Sequence, residues 1–140
     1  MYRRYLLGFL FVFLLLGKIS AEEISFTLEI TGVTVNGGTV HGGVYSRNTY
    51  NTINPPEFSF RGNPISNTIN ISLQIPQGEY VIQIYQDTNN NGKLDFNFFG
   101  IPIEPIGISN WNGRGIPGNF NRHKVLIYTG LKIIVQLNQR

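Results

Sequence analysis

The chain reads as an all-β protein, a single antiparallel β-sandwich of about seven short strands, preceded by a signal peptide. Three observations predict this. Apolar and polar residues alternate strictly over residues 24–30 and again over 68–75, the period-two pattern of strands with one buried face. Clusters of Gly, Pro and Asn, such as Asn36-Gly37-Gly38 and Pro76-Gln77-Gly78-Glu79, break the chain at short intervals. Beyond residue 21 no segment carries a helical period, so strands are the only regular element available to bury the apolar content.

The elements follow in order. Residues 1–21 have the layout of an export signal: Arg3 and Arg4, an apolar run from Leu6 to Leu16 interrupted only by Gly8, then a cleavage region ending at Ala21. The run falls short of the roughly 20 apolar residues a span needs, so an uncleaved anchor is the weaker alternative. The processed chain, residues 22–140, is then expected to be exported, periplasmic or extracellular, with no membrane span. The full sequence has 11 Lys and Arg against 8 Asp and Glu. Arg3, Arg4 and Lys18 fall in the signal, which leaves the remainder neutral. The basic pI is therefore no argument for a nucleic-acid partner. There is no Cys, so an exported domain of this size must be held by packing, or by packing and an ion.

Residues 24–30 form the first strand. After Asn36-Gly37-Gly38, residues 39–46 form the second, with Val40 and Val44 on one face and Gly42-Gly43 weakening its middle or marking a bulge. Residues 47–57 are a loop, and Phe58-Ser59-Phe60 is a short edge strand. Residues 68–75 form a strand with Ile69, Ile71, Leu73 and Ile75 inward. A tight Pro76-Gln77-Gly78-Glu79 turn leads into residues 80–86. There Tyr80, Ile82 and Ile84 share one face, and Val81, Gln83 and Tyr85 the other. Residues 96–121 are irregular, but Phe98, Phe99, Ile101, Ile103, Ile106 and Trp111 imply packing. Residues 123–128 and 131–137 form two last strands, joined through Thr129-Gly130.

The strand ending at Gln86 delivers Asp87-Thr88-Asn89-Asn90-Asn91-Gly92-Lys93-Leu94-Asp95. Oxygen donors at positions one, three, five and nine, with glycine at six, suit a backbone curled around a hard cation such as Ca²⁺. Asp87 and Asp95 supply charge, Asn89 and Asn91 supply amide oxygens, and Lys93 supplies its main-chain carbonyl. A plain type I′ hairpin at Asn91-Gly92 accounts for the turn and leaves the alternate spacing of Asp87, Asn89 and Asn91 unexplained. The twelfth position, a bidentate Glu in an EF-hand, is Phe98 here, and the flanks are not helical. Glu104, returned by the turn at Gly100-Ile101-Pro102, is the candidate for the missing carboxylate; the alternative is a surface acid.

Those segments also carry a likeness. Pro76-Gln77-Gly78-Glu79-Tyr80, the run from Tyr85 to Asp95, Gly100-Ile101-Pro102-Ile103-Glu104, Gly107-Ile108-Ser109-Asn110 and Pro117-Gly118-Asn119-Phe120 occur in that order. The chain resembles the exported bacterial family of domain of unknown function 2141, across most of residues 24–137. Gln86 stands where that family often has His, Ile108 where it has an aromatic, and His123 where a small residue is usual. The resemblance implies a transthyretin-like or Cna-B-like sandwich in the envelope or outside the cell, and no particular activity.

Rival chemistries are thinly supported. Gly113-Arg114-Gly115-Ile116-Pro117-Gly118 matches a dinucleotide fingerprint only literally, since no clear strand precedes it and Pro117 opposes the helix. His41 and His123 are the only histidines and read as strand-end or sheet-face residues. No Ser/His/Asp grouping stands out. Asp87, Asp95 and Glu104 could act as acids in an envelope-polymer hydrolase, although such crowded carboxylates suit a shared cation better. Trp111, with Asn110, Asn112 and Arg114, is either a core plug or the centre of a carbohydrate- or protein-binding patch. The leading expectation is a non-enzymatic, exported module with a calcium-binding loop and no catalytic residues.

Overall fold

The computed structural model describes residues 21–139, so the expected signal peptide lies, but for Ala21, outside the described residues. Eight strands and one helical turn follow one another: β1 (Glu23–Thr31), β2 (Thr39–Tyr45), β3 (Phe58–Gly62), β4 (Thr68–Pro76), β5 (Gly78–Asp87), β6 (Ile106–Ile108), α1 (Phe120–His123), β7 (Val125–Ile127) and β8 (Lys132–Gln136). They build two sheets, one ordered β4-β1-β8 and the other β3-β2-β5-β6, with β7 paired to β5. Among the described residues no helix is long and apolar enough to cross a membrane.

The alternating strands pack as their pattern requires. Phe26, Leu28 and Ile30 of β1 and Ile75 of β4 meet Val40, Val44, Phe60, Ile82 and Ile84 from the other sheet in one buried core. Each fully buried aliphatic side chain there contributes roughly 1.5–3 kcal/mol. Gly42 pairs in unbroken register with Phe60 and Ile84, so no bulge forms. Its hydrogen makes room for the Phe60 ring, since a Cβ there would lie 2.1 Å from it. The turn between β4 and β5 is a corner between sheets, fixed by the Tyr80 hydroxyl donating to the Pro76 carbonyl at 3.1 Å.

Two expectations are corrected. The sheets are antiparallel except that β8 runs parallel to β1, because β7 stays on β5 and the chain must cross to the other sheet before β8. Thr129-Gly130 joins β7 to β8 as expected, and it does so as a crossover between the two sheets. The apolar residues after the loop also behave differently from one another. Ile106 and Trp111 are buried, but Phe98 and Phe99 are 97% and 82% exposed and Ile101 and Ile103 also face out. The reason is local. Asn97 Oδ1 accepts from the Phe99 and Ile101 amides, Gly100 adopts φ 73°, and Phe96 pairs with Pro102. A self-satisfied hairpin results, with no facing layer among the described residues.

The long segments around this hairpin line a second, smaller core. β5 is buried on both faces: Val81 and Tyr85 pack with Tyr50, Ile106, Ile108, Trp111 and Phe120 on the outer side of its sheet. Trp111 is 9% exposed, and its Nε1 donates to the Arg114 carbonyl at 3.1 Å. It is the plug of this cluster, which removes the ligand patch centred on it.

His123 is corrected as well. It lies at the end of α1, fully buried, with Nε2 accepting from the Gly118 amide at 2.8 Å and Nδ1 facing the Ser109 carbonyl at 3.2 Å. Ser109 Oγ donates to the His123 carbonyl and accepts from the Ile82 amide, at 2.7 and 3.0 Å. Both groups are consumed in tying residues 109–123 to β5, so this is a structural knot and no nucleophile–base pair. His123→Ala leaves two backbone groups without partners and a cavity, and is expected to cost about 3 kcal/mol, read as a lowered urea midpoint at unchanged slope.

Candidate metal centre

Residues 87–95 leave the end of β5 at one corner of the sandwich. The local sequence dictates a tight coil. Asn90 takes φ 56°, Gly92 takes φ 79°, and Asn side chains bond forward to the main chain. Asn89 Oδ1 accepts from the Asn91 amide at 3.0 Å, and Asn91 Oδ1 from the Lys93 amide at 2.9 Å. Asn90 Oδ1 accepts from the Thr39 amide at 3.1 Å, which pins the loop to the start of β2.

Asp87 forms the base of the coil and is 1% exposed. Its Oδ1 accepts from the Asn91 amide at 3.1 Å and its Oδ2 from the Gly92 amide at 2.7 Å. His41 Nε2 lies 3.7 Å from that second oxygen. At the open side, Asp95 Oδ2 takes the amide NH₂ groups of Asn89 and Asn91 at 2.7 and 2.8 Å. Asn89, Asn91 and Asp95 thus converge on one point, with Asp87 beneath them and Lys93 exposed at the rim, its amide held by Asn91.

Glu104 arrives where the turn at Gly100-Ile101-Pro102 was expected to bring it, aided by the Ile103 amide donating to the Asp95 carbonyl at 3.0 Å. It is 1% exposed, so it is no surface acid. Oε1 accepts from the Thr88 amide at 2.8 Å and the Thr88 hydroxyl at 3.2 Å, and Oε2 from the Asp95 amide at 3.1 Å. A single carboxylate therefore spans the two ends of the loop from behind. Among the described residues no group of three or more His, Cys, Asp or Glu is placed to hold a metal ion. Asp87, Asp95 and Glu104 are neighbours through the backbone and do not share a point.

Sequence reasoning missed Gln86, whose side chain is wholly buried beside the loop. Its Oε1 accepts from the Thr34 amide at 2.9 Å, and its Nε2 donates to the carbonyls of Thr34 and Gly38 at 2.7 and 3.3 Å. Alternation along β5 puts Gln86 on the core side with Ile82 and Ile84. A polar residue at a core position was the available signal, because a buried amide must find partners.

Fold and corner together define a small all-β sandwich domain bearing an asparagine-rich, acid-anchored loop. Its sequence matches the family model described as "Uncharacterized protein conserved in bacteria (DUF2141)" over residues 28–134, and the chain belongs to that family. No curated protein matches it. No solved structure matches it either.

Proposed function

We propose that the chain is an exported, non-enzymatic envelope module of transthyretin-like or Cna-B-like type, whose loop 87–95 is ordered further by Ca²⁺. One observation carries the reading: the side chains of Asn89, Asn91 and Asp95 already meet at one point, over a coil that Asp87 holds closed. The amide NH₂ groups now occupy the position where a cation would compensate Asp95. Rotation of both amides turns carbonyl oxygens toward that point and gives up the bonds those oxygens accept from the Asn91 and Lys93 amides, a loss that the ion's coordination must outweigh. Neutral oxygens dominate such a donor set, which suits the weak extracellular class with Kd about 10⁻⁴–10⁻³ M. The hydrolase alternative loses ground, since both Asp87 and Glu104 are buried and spent on main-chain amides.

Calorimetric melting in calcium and in excess chelator tests this. At about ten times Kd, calcium is expected to add about 1.4 kcal/mol, a rise of a few degrees. Identical midpoints would overturn the reading. Asp95→Asn should erase the calcium effect while leaving the chelated midpoint nearly unchanged. Asp87→Ala should erase it too, but should also lower the chelated midpoint, because two main-chain amides lose their acceptor.

A further inference from the structure

The outer face of the β3-β2-β5 sheet holds a groove of about 480 Å³, lined by His41, Tyr45, Pro56, Ser59, Arg61 and Tyr85. That size lies within the roughly 300–1,000 Å³ of small-molecule sites. The register explains its shape. Arg61, His41 and Tyr85 form one row across three strands, and Ser59, Gly43 and Gln83 form the next. Gly43 has no side chain, so Tyr45 and Pro56 lie over it; a Cβ there would sit 2.8 Å from Pro56 and 2.9 Å from Tyr45. One wall is thus Tyr45 with Pro56. The other is His41 stacked on Tyr85, with ring centroids 5.1 Å apart and planes 11° from parallel.

The groove combines three kinds of recognition. Aromatic walls accept the C–H face of a flat ring. Burial raises the pKa of Tyr45, so its phenol stays protonated and able to donate, and the Tyr85 hydroxyl lines the same groove. Ser59 adds an exposed hydroxyl. Arg61 is exposed at the mouth and, among the described residues, takes part in no ion pair, so its fork is open to a carboxylate. Apolar ring face, hydroxyls and one negative charge together describe a uronic acid.

We propose that this groove binds a sugar ring carrying a carboxylate, as in an acidic polysaccharide. The site shares no ligand-bearing residue with the loop, although the two are neighbours: His41 Nε2 lies 3.7 Å from Asp87 Oδ2, and Leu94 packs on the same cluster as Tyr45 and Tyr85.

Isothermal titration with tri-galacturonate tests this, run in chelator because acidic sugars bind calcium themselves, and with the neutral galactose trisaccharide and benzoate in parallel arms. Tri-galacturonate is expected to saturate one site at least about tenfold more tightly than either comparison ligand. Arg61→Gln should bring the acidic sugar down to the neutral one, and Tyr85→Ala should weaken both, with circular dichroism and melting confirming that each variant is folded. Absence of saturable binding, equal affinity for acidic and neutral sugar, benzoate binding as tightly as tri-galacturonate, or indifference to Arg61→Gln would each overturn the proposal. A loop that ignores calcium leaves the outcome untouched, because calcium is absent throughout.

Discussion

Glu104→Ala is expected to lower the melting temperature by about 10 °C, in calcium and in chelator alike. The side chain holds the Thr88 amide with one oxygen and the Asp95 amide with the other, and lies at 1% exposure. Removing it strands both donors in a partly closed corner, at about 1–3 kcal/mol for each unsatisfied buried group. The buried charge also disappears, which offsets part of that, so a net loss of about 3 kcal/mol is the working figure. For a domain of this size that corresponds to about 10 °C. Glu104→Gln should fall between, since its amide keeps one acceptor but presents a donor to the other N–H. Hydrogen exchange gives the local readout: the Thr88 and Asp95 amides should lose protection in the alanine variant, ahead of the core strands. Unchanged melting with both amides still protected would mean that the strut carries no load.

Gly38→Ala is the second large effect, expected to cost about 3–5 kcal/mol as a fall in the urea midpoint. Gly38 has φ 95°, and a Cβ would lie 1.9 Å from the Asp87 carbonyl oxygen, which is backbone and has nowhere to go. Relief requires moving the start of β2 away from β5. That breaks the Thr39 to Asp87 pairing and the bond from Gln86 Nε2 to the Gly38 carbonyl. Gly92→Ala is the internal control. Its φ is 79°, but beyond its own chain neighbours no atom of the described residues lies within 4 Å of the added Cβ. Only the backbone preference is lost there, at about 1 kcal/mol. Similar costs at the two glycines would show that positive φ, rather than close approach, dominates at Gly38.

The two faces of β5 were legible from spacing alone. Tyr80, Ile82 and Ile84 serve one core and Val81 and Tyr85 the other. The coil of the loop was legible too, because alternate Asn residues with glycine at position six set a local geometry; Asn89, Asn91 and Asp95 meet there, while Asp87 lies beneath them on main-chain amides. Glu104 was placed near the loop on the strength of a turn, and its neighbourhood held. Its partners did not follow from the turn, since they are main-chain amides of residues nine and sixteen positions away.

The aromatic and aliphatic residues of the hairpin 96–103 illustrate the opposite case. Their apolar character argued for packing, yet Asn97 closes the turn on itself and directs them outward. Hydrophobicity says that a side chain gains by burial; it does not supply the facing layer. The same limit applied to His123 and Ser109, whose pairing depends on a fold that brings residues 109 and 123 together over β5.

From its sequence alone this protein was fixed as an all-β sandwich with a coiled oxygen-rich loop after its central strand. Both features rest on interactions within a few residues: side-chain alternation, glycine conformation and short asparagine bonds. Only the tertiary structure decided that β8 lies parallel to β1, that Gln86 and Glu104 are buried struts, that Trp111 is enclosed, and that His41, Arg61 and Tyr85 share a row. Those depend on which strands become neighbours, and pairing partners far apart in the chain are selected by the packing of the whole domain.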